Sequence, residues 1–296
     1  MLSILIPTYN YPIYALVSDL KAQCDVCKIS YEIISYDDGS ENFHEENNRV
    51  NELEFCSYTI FEMNIGRSQI RNLLAKNARY DHILFLDADV MPVNSDFIQF
   101  YIGYVDANAV VTGGLRYQEI RPENDLLLRW IYGSKREAMP LAEREKFPYQ
   151  SLLASNFMVP KLLFNRVLFN VTIPDLRRED TLFSYEMMVN EIQVLHIENP
   201  VFHLGLDTFE IAIRKEKESL QGLHYLLKNG LLPDSYLKMS RLFNTIKKWR
   251  MISLLGSFHN LTENLFLRNL SSEKPSLLLF DLYRIGYLCA HAKKFN

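Results

Sequence analysis

The amino-acid sequence predicts an α/β protein with a mostly parallel central sheet and a helical C-terminal extension. Three observations lead there. Short β-branched runs alternate with helical patterns over the first 115 residues. Two of the apolar runs end in close-set acidic residues, where open α/β sheets bind ligands. From Asp207 onward the pattern is helical to the end.

The strand candidates are Ser3–Ile6, Glu32–Tyr36, Ser57–Phe61, Ile83–Leu86 and Ala109–Thr112. The clearest helix between them runs from Gly66 to Ala78. It carries Ile70, Leu73, Leu74 and Asn77 on one side, with Arg71, Lys76 and Arg79 elsewhere. A second helix starts near Asn94 or Ser95, either of which can cap it, and carries Phe97, Ile98 and Tyr101. Strands alternating with helices imply a sheet covered on both faces. Residues 116–150 break the rhythm, with charge and with Trp130, Tyr132 and Tyr149 interleaved. A stretch of that length without periodicity is expected to be a mobile or functional insert. Regular structure returns at Ser151–Val159. A loop through Asp175 then leads to Arg177-Arg178-Glu179-Asp180, a helical segment and a strand at Gln193–Ile197. Gly230, Pro233 and Pro275 punctuate the helices beyond. The division expected is therefore a domain over 1–210, built from 1–115, the insert 116–150 and 151–210, with an extension over 211–296. No internal repeat is present.

Hydrophobic residues make up 48% and charged residues 23%, which excludes disordered and low-complexity classes. A net charge of -4 gives no support to a nucleic-acid partner. The charge is uneven. Residues 236–296 hold ten basic and three acidic residues, a local balance of +7 against -11 elsewhere. Cys24 and Cys27 form a lone C-x-x-C without the second pair a zinc site needs, and Cys56 and Cys289 stand apart. So few cysteines suit a reducing cytoplasm. The opening MLSILIPTYN has a five-residue apolar stretch without a basic flank, unlike a signal peptide. No run approaches the roughly 18 apolar residues of a transmembrane helix.

No G-x-G-x-x-G follows the first strand, whose turn is Pro7-Thr8-Tyr9-Asn10, and no G-x-x-x-x-G-K-[ST] occurs. Instead, Ile83-Leu84-Phe85-Leu86-Asp87-Ala88-Asp89 delivers two carboxylates at the C-terminal edge of an apolar strand. Two carboxylates there repel unless a cation stands close, and a divalent ion bridging diphosphate oxygens fits that position. The other reading is a polar turn capping the next helix. Asp37-Asp38-Gly39-Ser40 ends the second strand; it either accepts an N–H from a base edge or forms an Asx-type turn.

Taken in order, SILIPTYN, SYDDGS, NIGRSQIRNLLAKNARYDHILFLDAD, SNFMVPKLLF, RREDTLFSYEM and ENPVFHLG resemble the family 2 glycosyltransferases, over residues 1 to about 210. The resemblance implies a GT-A nucleotide-sugar-binding fold and an inverting, metal-dependent transfer of a sugar, with UDP favoured as carrier. By resemblance, Pro7, Thr8, Tyr9, Asn10 and Asp38 hold the nucleoside, and Arg71 lies near the nucleotide. Asp87 and Ala88 belong to the segment at the ribose and metal. Asp89 binds Mn²⁺ or Mg²⁺, and His203 matches a histidine that adds a metal contact in some members. Glu179-Asp180 resembles the acceptor-side acidic pair, with Asp180 as base, although Arg178 stands where glycine often precedes it. The catalytic domain is then 1–210, with 1–115 as its nucleotide-sugar half and 151–210 as its acceptor half. The insert 116–150 could order over the donor. Partners implied are a nucleotide-diphosphate sugar and a glycan or lipid-linked acceptor. The rival readings are a sugar nucleotidyltransferase, which would want a glycine-rich phosphate loop, and a glycan-binding protein on a transferase scaffold. His44, His82, His196, His224, His259 and His291 are read as surface or packing residues. Lys247, Lys248 and Arg250 flank Trp249, ahead of Met251, Ile252, Leu254, Leu255 and Phe258. Such a segment either lies on an anionic membrane surface or packs its apolar face inward with the basic residues solvated. The expected location is the cytoplasm, with or without peripheral contact to the inner face of a membrane.

Overall fold

The computed structural model describes residues 1–174 and 176–294; Asp175, on the expected loop, and the last two residues lie outside the described residues. The strands are β1 (Leu2–Thr8), β2 (Tyr31–Asp37), β3 (Cys56–Ile60), β4 (His82–Leu86), β5 (Val90–Pro92), β6 (Val110–Thr112), β7 (Leu115–Arg116), β8 (Asn156–Pro160), β9 (Val194–His196) and β10 (Val201–His203). Among the described residues, seven of them form one sheet in the order β3-β2-β1-β4-β8-β6-β9. β3, β2, β1 and β4 are mutually parallel, as are β6 and β9. Only β8 runs against its neighbours β4 and β6. The mostly parallel sheet is thus the one the alternating pattern implies. β1 and β4 are apolar on both faces because helices cover both, so Ile4, Leu5, Ile6 and Ile83 to Leu86 are all buried.

The chain divides into two compact units. One comprises Met1–Gln118, Ala138–Asp175 and Glu186–Gly205; the other comprises Glu119–Glu137, Leu176–Tyr185 and Leu206–Asn296. Residues 116–150 therefore do not form one insert. A helix over Leu127–Arg136 puts Leu128 into a core with Ile213, Leu270, Phe280 and Tyr283. Farther on, Arg144 is buried in the sheet unit. Its guanidinium donates to the carbonyls of Met139 at 3.2 Å, Ile197 at 2.9 Å and Thr112 at 3.4 Å, and to His196 Nδ1 at 3.1 Å. An arginine always carries its proton, so His196 accepts at Nδ1 and donates from Nε2 to the Pro148 carbonyl. Periodicity misses such a segment because one side chain, not an apolar stripe, holds it.

Two helices in the sheet unit depart from the sequence reading in detail. In Arg67–Asn77 the buried residues are Ile70, Arg71, Leu74 and Ala75, so Arg71 is on the inner face. Asp96 is the N-cap position of the helix Phe97–Ile102, and no side chain of Asn94, Ser95 or Asp96 caps it. Gln23 does so from the helix Tyr14–Cys27, accepting the Ile98 N–H at 3.1 Å.

The second unit is helical, with Phe209–Lys228, Lys238–Lys248, Ile252–Leu270 and Leu277–Lys294 as its main elements. Arg284 is buried there and bonds Glu216 at 2.6 Å. Among the described residues no helix is long and apolar enough to cross a membrane.

Asn156, at the start of β8, ties the strand ends beneath the site. Its amide donates to the carbonyls of Gly114 (2.9 Å) and Asn199 (3.0 Å), and its oxygen accepts from the Tyr101 hydroxyl (2.7 Å). All of this is buried. Asn156→Ala strands three buried polar groups and is expected to cost about 2–4 kcal/mol in urea unfolding. A change below about 0.5 kcal/mol would contradict that role for the network.

Candidate active site

The site of the sheet unit gathers at the C-terminal ends of β1, β2 and β4. Parallel strands point their carbonyl ends to one edge, so the turn after each arrives at the same place. After β1, Thr8 is buried and Tyr9 is 54% exposed. Asn10 takes a positive φ of 49°; its N–H donates to Ser40 Oγ at 2.7 Å, while its side-chain oxygen accepts the Glu41 N–H at 2.8 Å. The turns after β1 and β2 are thereby fastened together, and the Asp38 N–H adds a bond to the Thr8 carbonyl at 2.9 Å.

The acidic pair after β2 splits into two jobs. Asp37 is fully buried; it accepts the Ser40 N–H at 2.8 Å, the Asx-type turn, and the Tyr58 hydroxyl. Burial pushes the Tyr58 phenol well above its usual range, and its bond to Asp37 acts in the same direction. Asp38 reaches the next loop, accepting the N–H groups of Ile65 at 2.6 Å and Gly66 at 3.1 Å.

After β4, the D-x-D carboxylates part in the same way. Arg71 Nη2 bonds Asp87 Oδ1 at 2.8 Å, and its guanidinium lies over the Phe169 ring at 5.4 Å. The repulsion inherent in two close carboxylates is therefore relieved by Arg71 at the first of them. Asp89 faces His203, with Oδ2 at 3.4 Å from Nε2. Ala88 lies between them, half-buried.

A second, three-stranded sheet makes that approach. β5 follows Asp89 directly and pairs antiparallel with β10, opposing His203 to Val90. The Leu204 N–H then bonds the Asp89 carbonyl at 2.8 Å. Tyr117 stacks on the imidazole, with ring centroids 5.3 Å apart. His203 Nδ1 is buried without a hydrogen-bond partner among the described residues. Gly205 packs its backbone on the carboxylate so tightly that a Cβ there would meet Asp89 Oδ2 at 2.3 Å. Tyr11 is also close: burial raises its pKa first, and the Asp89 charge raises it further. Gly205, Tyr117 and Tyr11 are not distinguished by the sequence reading. The glycine after His203 is the one visible signal, since only glycine admits so close an approach.

The donor set suits a divalent ion held in part by substrate. One carboxylate oxygen and one imidazole nitrogen converge, oxygen and nitrogen donors of the sort Mn²⁺ accepts. Among the described residues no group of three or more His, Cys, Asp or Glu could hold a metal by itself. Phosphate oxygens and water would have to complete the shell.

The chain matches the Glycosyl transferase family 2 over residues 3–168, more than half its length. The protein belongs to glycosyl transferase family 2. Comparison with curated protein sequences gives no match. Among solved structures, this family 2 chain resembles the mannosyltransferase PcManGT from Pyrobaculum calidifontis in complex with GDP-Man and Mn2+. That likeness has 13% identity and a TM-score of 0.61, over 99% of this chain and 86% of that one. It also resembles TarS from S. aureus at 16% identity and a TM-score of 0.52, over 96% of this chain but 54% of the other. The chain thus spans about half the length of that TarS chain. The 1–349 form of TarS in complex with UDP-GlcNAc gives 16% identity and a TM-score of 0.52, over 99% of this chain and 91% of that one. These neighbours are GT-A glycosyltransferases, and the fold is theirs.

Glu179 and Asp180 belong to the second unit and open the helix Glu179–Val189. Glu179 is buried; Asp180 is half-buried, its Oδ1 accepting the Thr181 N–H at 2.6 Å. Two acids in the first turn complement the helix dipole. Arg178, immediately before, has a φ of 97°, the region glycine prefers. The departure from the family pattern thus keeps a glycine-like backbone in an arginine, and its carbonyl accepts the Leu182 N–H at 3.0 Å. A side chain at such a φ costs about 1–2 kcal/mol, against about 0.4–1 kcal/mol of added chain entropy for glycine. Arg178→Gly is therefore expected to raise the melting temperature by about 1–3 °C. A fall of similar size in a thermal melt would show that Arg178 is not strained.

Proposed function

We propose that this family 2 member transfers a sugar, with inversion, from a nucleoside diphosphate to an acceptor hydroxyl on a glycan or lipid-linked glycan. The observation that carries the reading is the approach of His203 to Asp89 at the carboxyl edge of the sheet. The turn Pro7 to Asn10 and Asp38 hold the nucleoside, and Arg71 with Asp87 and Ala88 forms the floor toward the ribose. UDP is the first carrier to test. A carboxylate such as Asp38 suits the N–H of uracil or of guanine, and the solved neighbours were captured with UDP-GlcNAc and with GDP-Man.

Asp89 and His203 are the residues that would hold Mn²⁺ or Mg²⁺. Such an ion, when bound, offsets the charge that builds on a departing diphosphate. Arg71 holds the Asp87 carboxylate in place through their 2.8 Å ion pair. Tyr117 and the Gly205 backbone fix the imidazole and carboxylate before substrate arrives, so little reorganisation is left for the reaction. Asp180 takes the proton from the acceptor hydroxyl as its oxygen attacks the anomeric carbon and the bond to the diphosphate breaks. Adjacent residues in a helical first turn point in different directions. Only one of the pair can readily reach the acceptor oxygen; Asp180, the less buried of the two, is taken as the base, and Glu179 binds acceptor hydroxyls or caps the helix.

The test measures nucleoside diphosphate release from a panel of UDP- and GDP-sugars, with and without Mn²⁺, alongside donor binding. Asp180→Asn keeps size and most hydrogen bonding, so donor binding should persist while turnover falls at least about a hundredfold. Near-normal turnover in that variant would put the base elsewhere. No turnover of any donor by the unaltered protein, with binding intact, would favour a glycan-binding role.

A further inference from the structure

The C-terminal helices carry an apolar face that the second unit does not use. In the helix Ile252–Leu270, Ile252, Gly256, His259 and Leu270 are buried. Leu254, Phe258, Leu261 and Leu265 point the other way, at 64, 56, 84 and 64% exposure. Their spacing of four, three and four residues aligns them within a narrow arc on one side of the helix. The stripe runs about 16 Å along the axis at roughly 1.5 Å per residue. Large apolar side chains in so regular a row are not the scattered exposure of an ordinary surface.

The preceding helix, Lys238–Lys248, buries Ser240, Phe243 and Ile246. Its opposite side exposes Lys238, Arg241, Leu242 and Lys248, and Trp249 follows at 69% exposure. Arg250, at a φ of 56°, breaks the chain between the two helices. From Lys238 to Leu270 there are six basic residues and one acid. That acid, Glu263, is engaged by Lys217 Nζ at 2.9 Å and lies near the Tyr283 hydroxyl at 3.4 Å. The exposed charge at the two ends of the apolar row, before Met251 and at Arg268, is therefore all basic.

We propose that the Lys238–Leu270 segment docks the protein on an anionic lipid bilayer, lying along the surface. Leu254, Phe258, Leu261 and Leu265 enter the acyl boundary, Trp249 sits at headgroup depth, and Lys238, Arg241, Lys247, Lys248, Arg250 and Arg268 meet the lipid phosphates. Charge selects this occupant over a second copy of the chain. A self-paired interface would bring two such cationic surfaces together, which is repulsive, whereas an anionic bilayer neutralises them.

The experiment is flotation of the full chain with vesicles of phosphatidylcholine alone or mixed with phosphatidylglycerol, at low and high salt. The protein should float with the anionic vesicles, and less so at high salt. Leu261→Glu with Leu265→Glu, and separately Lys247→Glu with Lys248→Glu and Arg250→Glu, should each lower partition at least about tenfold. All five side chains are exposed, and circular dichroism should report unchanged helix content. Failure to bind anionic vesicles, or equal binding by both variants and the unaltered chain, overturns the proposal. So does a concentration-dependent dimer in sedimentation that Leu261→Glu abolishes while no vesicle binding is seen.

Discussion

The antiparallel pairing of β5 with β10 is the constraint on which the site depends. It is only three residues long on each side, yet it fixes a register between a strand that begins one residue after Asp89 and one that ends at His203. Register in a sheet is discrete: a slip of one residue turns every side chain to the opposite face. The approach of imidazole and carboxylate is thus set by main-chain hydrogen bonds, not by the flexibility of two side chains. Beneath it, Asn156 bonds the carbonyls of Gly114 and Asn199, holding the segments that lead out of β6 and into β10.

Charge is distributed so that one carboxylate of each acidic pair builds the frame and the other faces outward into the site or its loop. Asp37 is used up in a turn and a tyrosine bond, and Asp38 clamps the loop before the Arg67–Asn77 helix. That helix in turn sends Arg71 to Asp87. The first strand turn, the second strand turn and the D-x-D segment are thereby linked through side-chain contacts. A buried arginine opposite a carboxylate is costly to break, because removing one partner leaves the other charge uncompensated. Such an arrangement favours a site formed before substrate binds.

Much of this is legible in the sequence for a physical reason. Strands buried on both faces are unmistakable apolar runs, so β1 and β4 and their acidic termini stand out. Three things are hidden. The three short strands of the second sheet are too brief to show a period, and ENPVFHLG reveals its strand only once it pairs with β5. Likewise, helical spacing assigns Arg71 away from the apolar face, whereas the structure buries it, because a charge can be interior when its counter-charge is there too. The segment 116–150 fails for a related reason: Arg144 anchors one part through carbonyl bonds, and the Leu127–Arg136 helix carries the other to a different core. The glycine-like turn before Glu179 is kept by Arg178 at a strained φ, so the loop shape persists where the residue type has changed.

The decisive measurement is manganese-edge anomalous diffraction from crystals grown with Mn²⁺ and UDP. One strong peak is expected, bonded to both Asp89 and His203, with the remaining ligands supplied by diphosphate oxygens and water, if the paired β5 and β10 set a metal site. A peak that touches neither residue, or UDP bound in full occupancy with no metal beside Asp89, would contradict it.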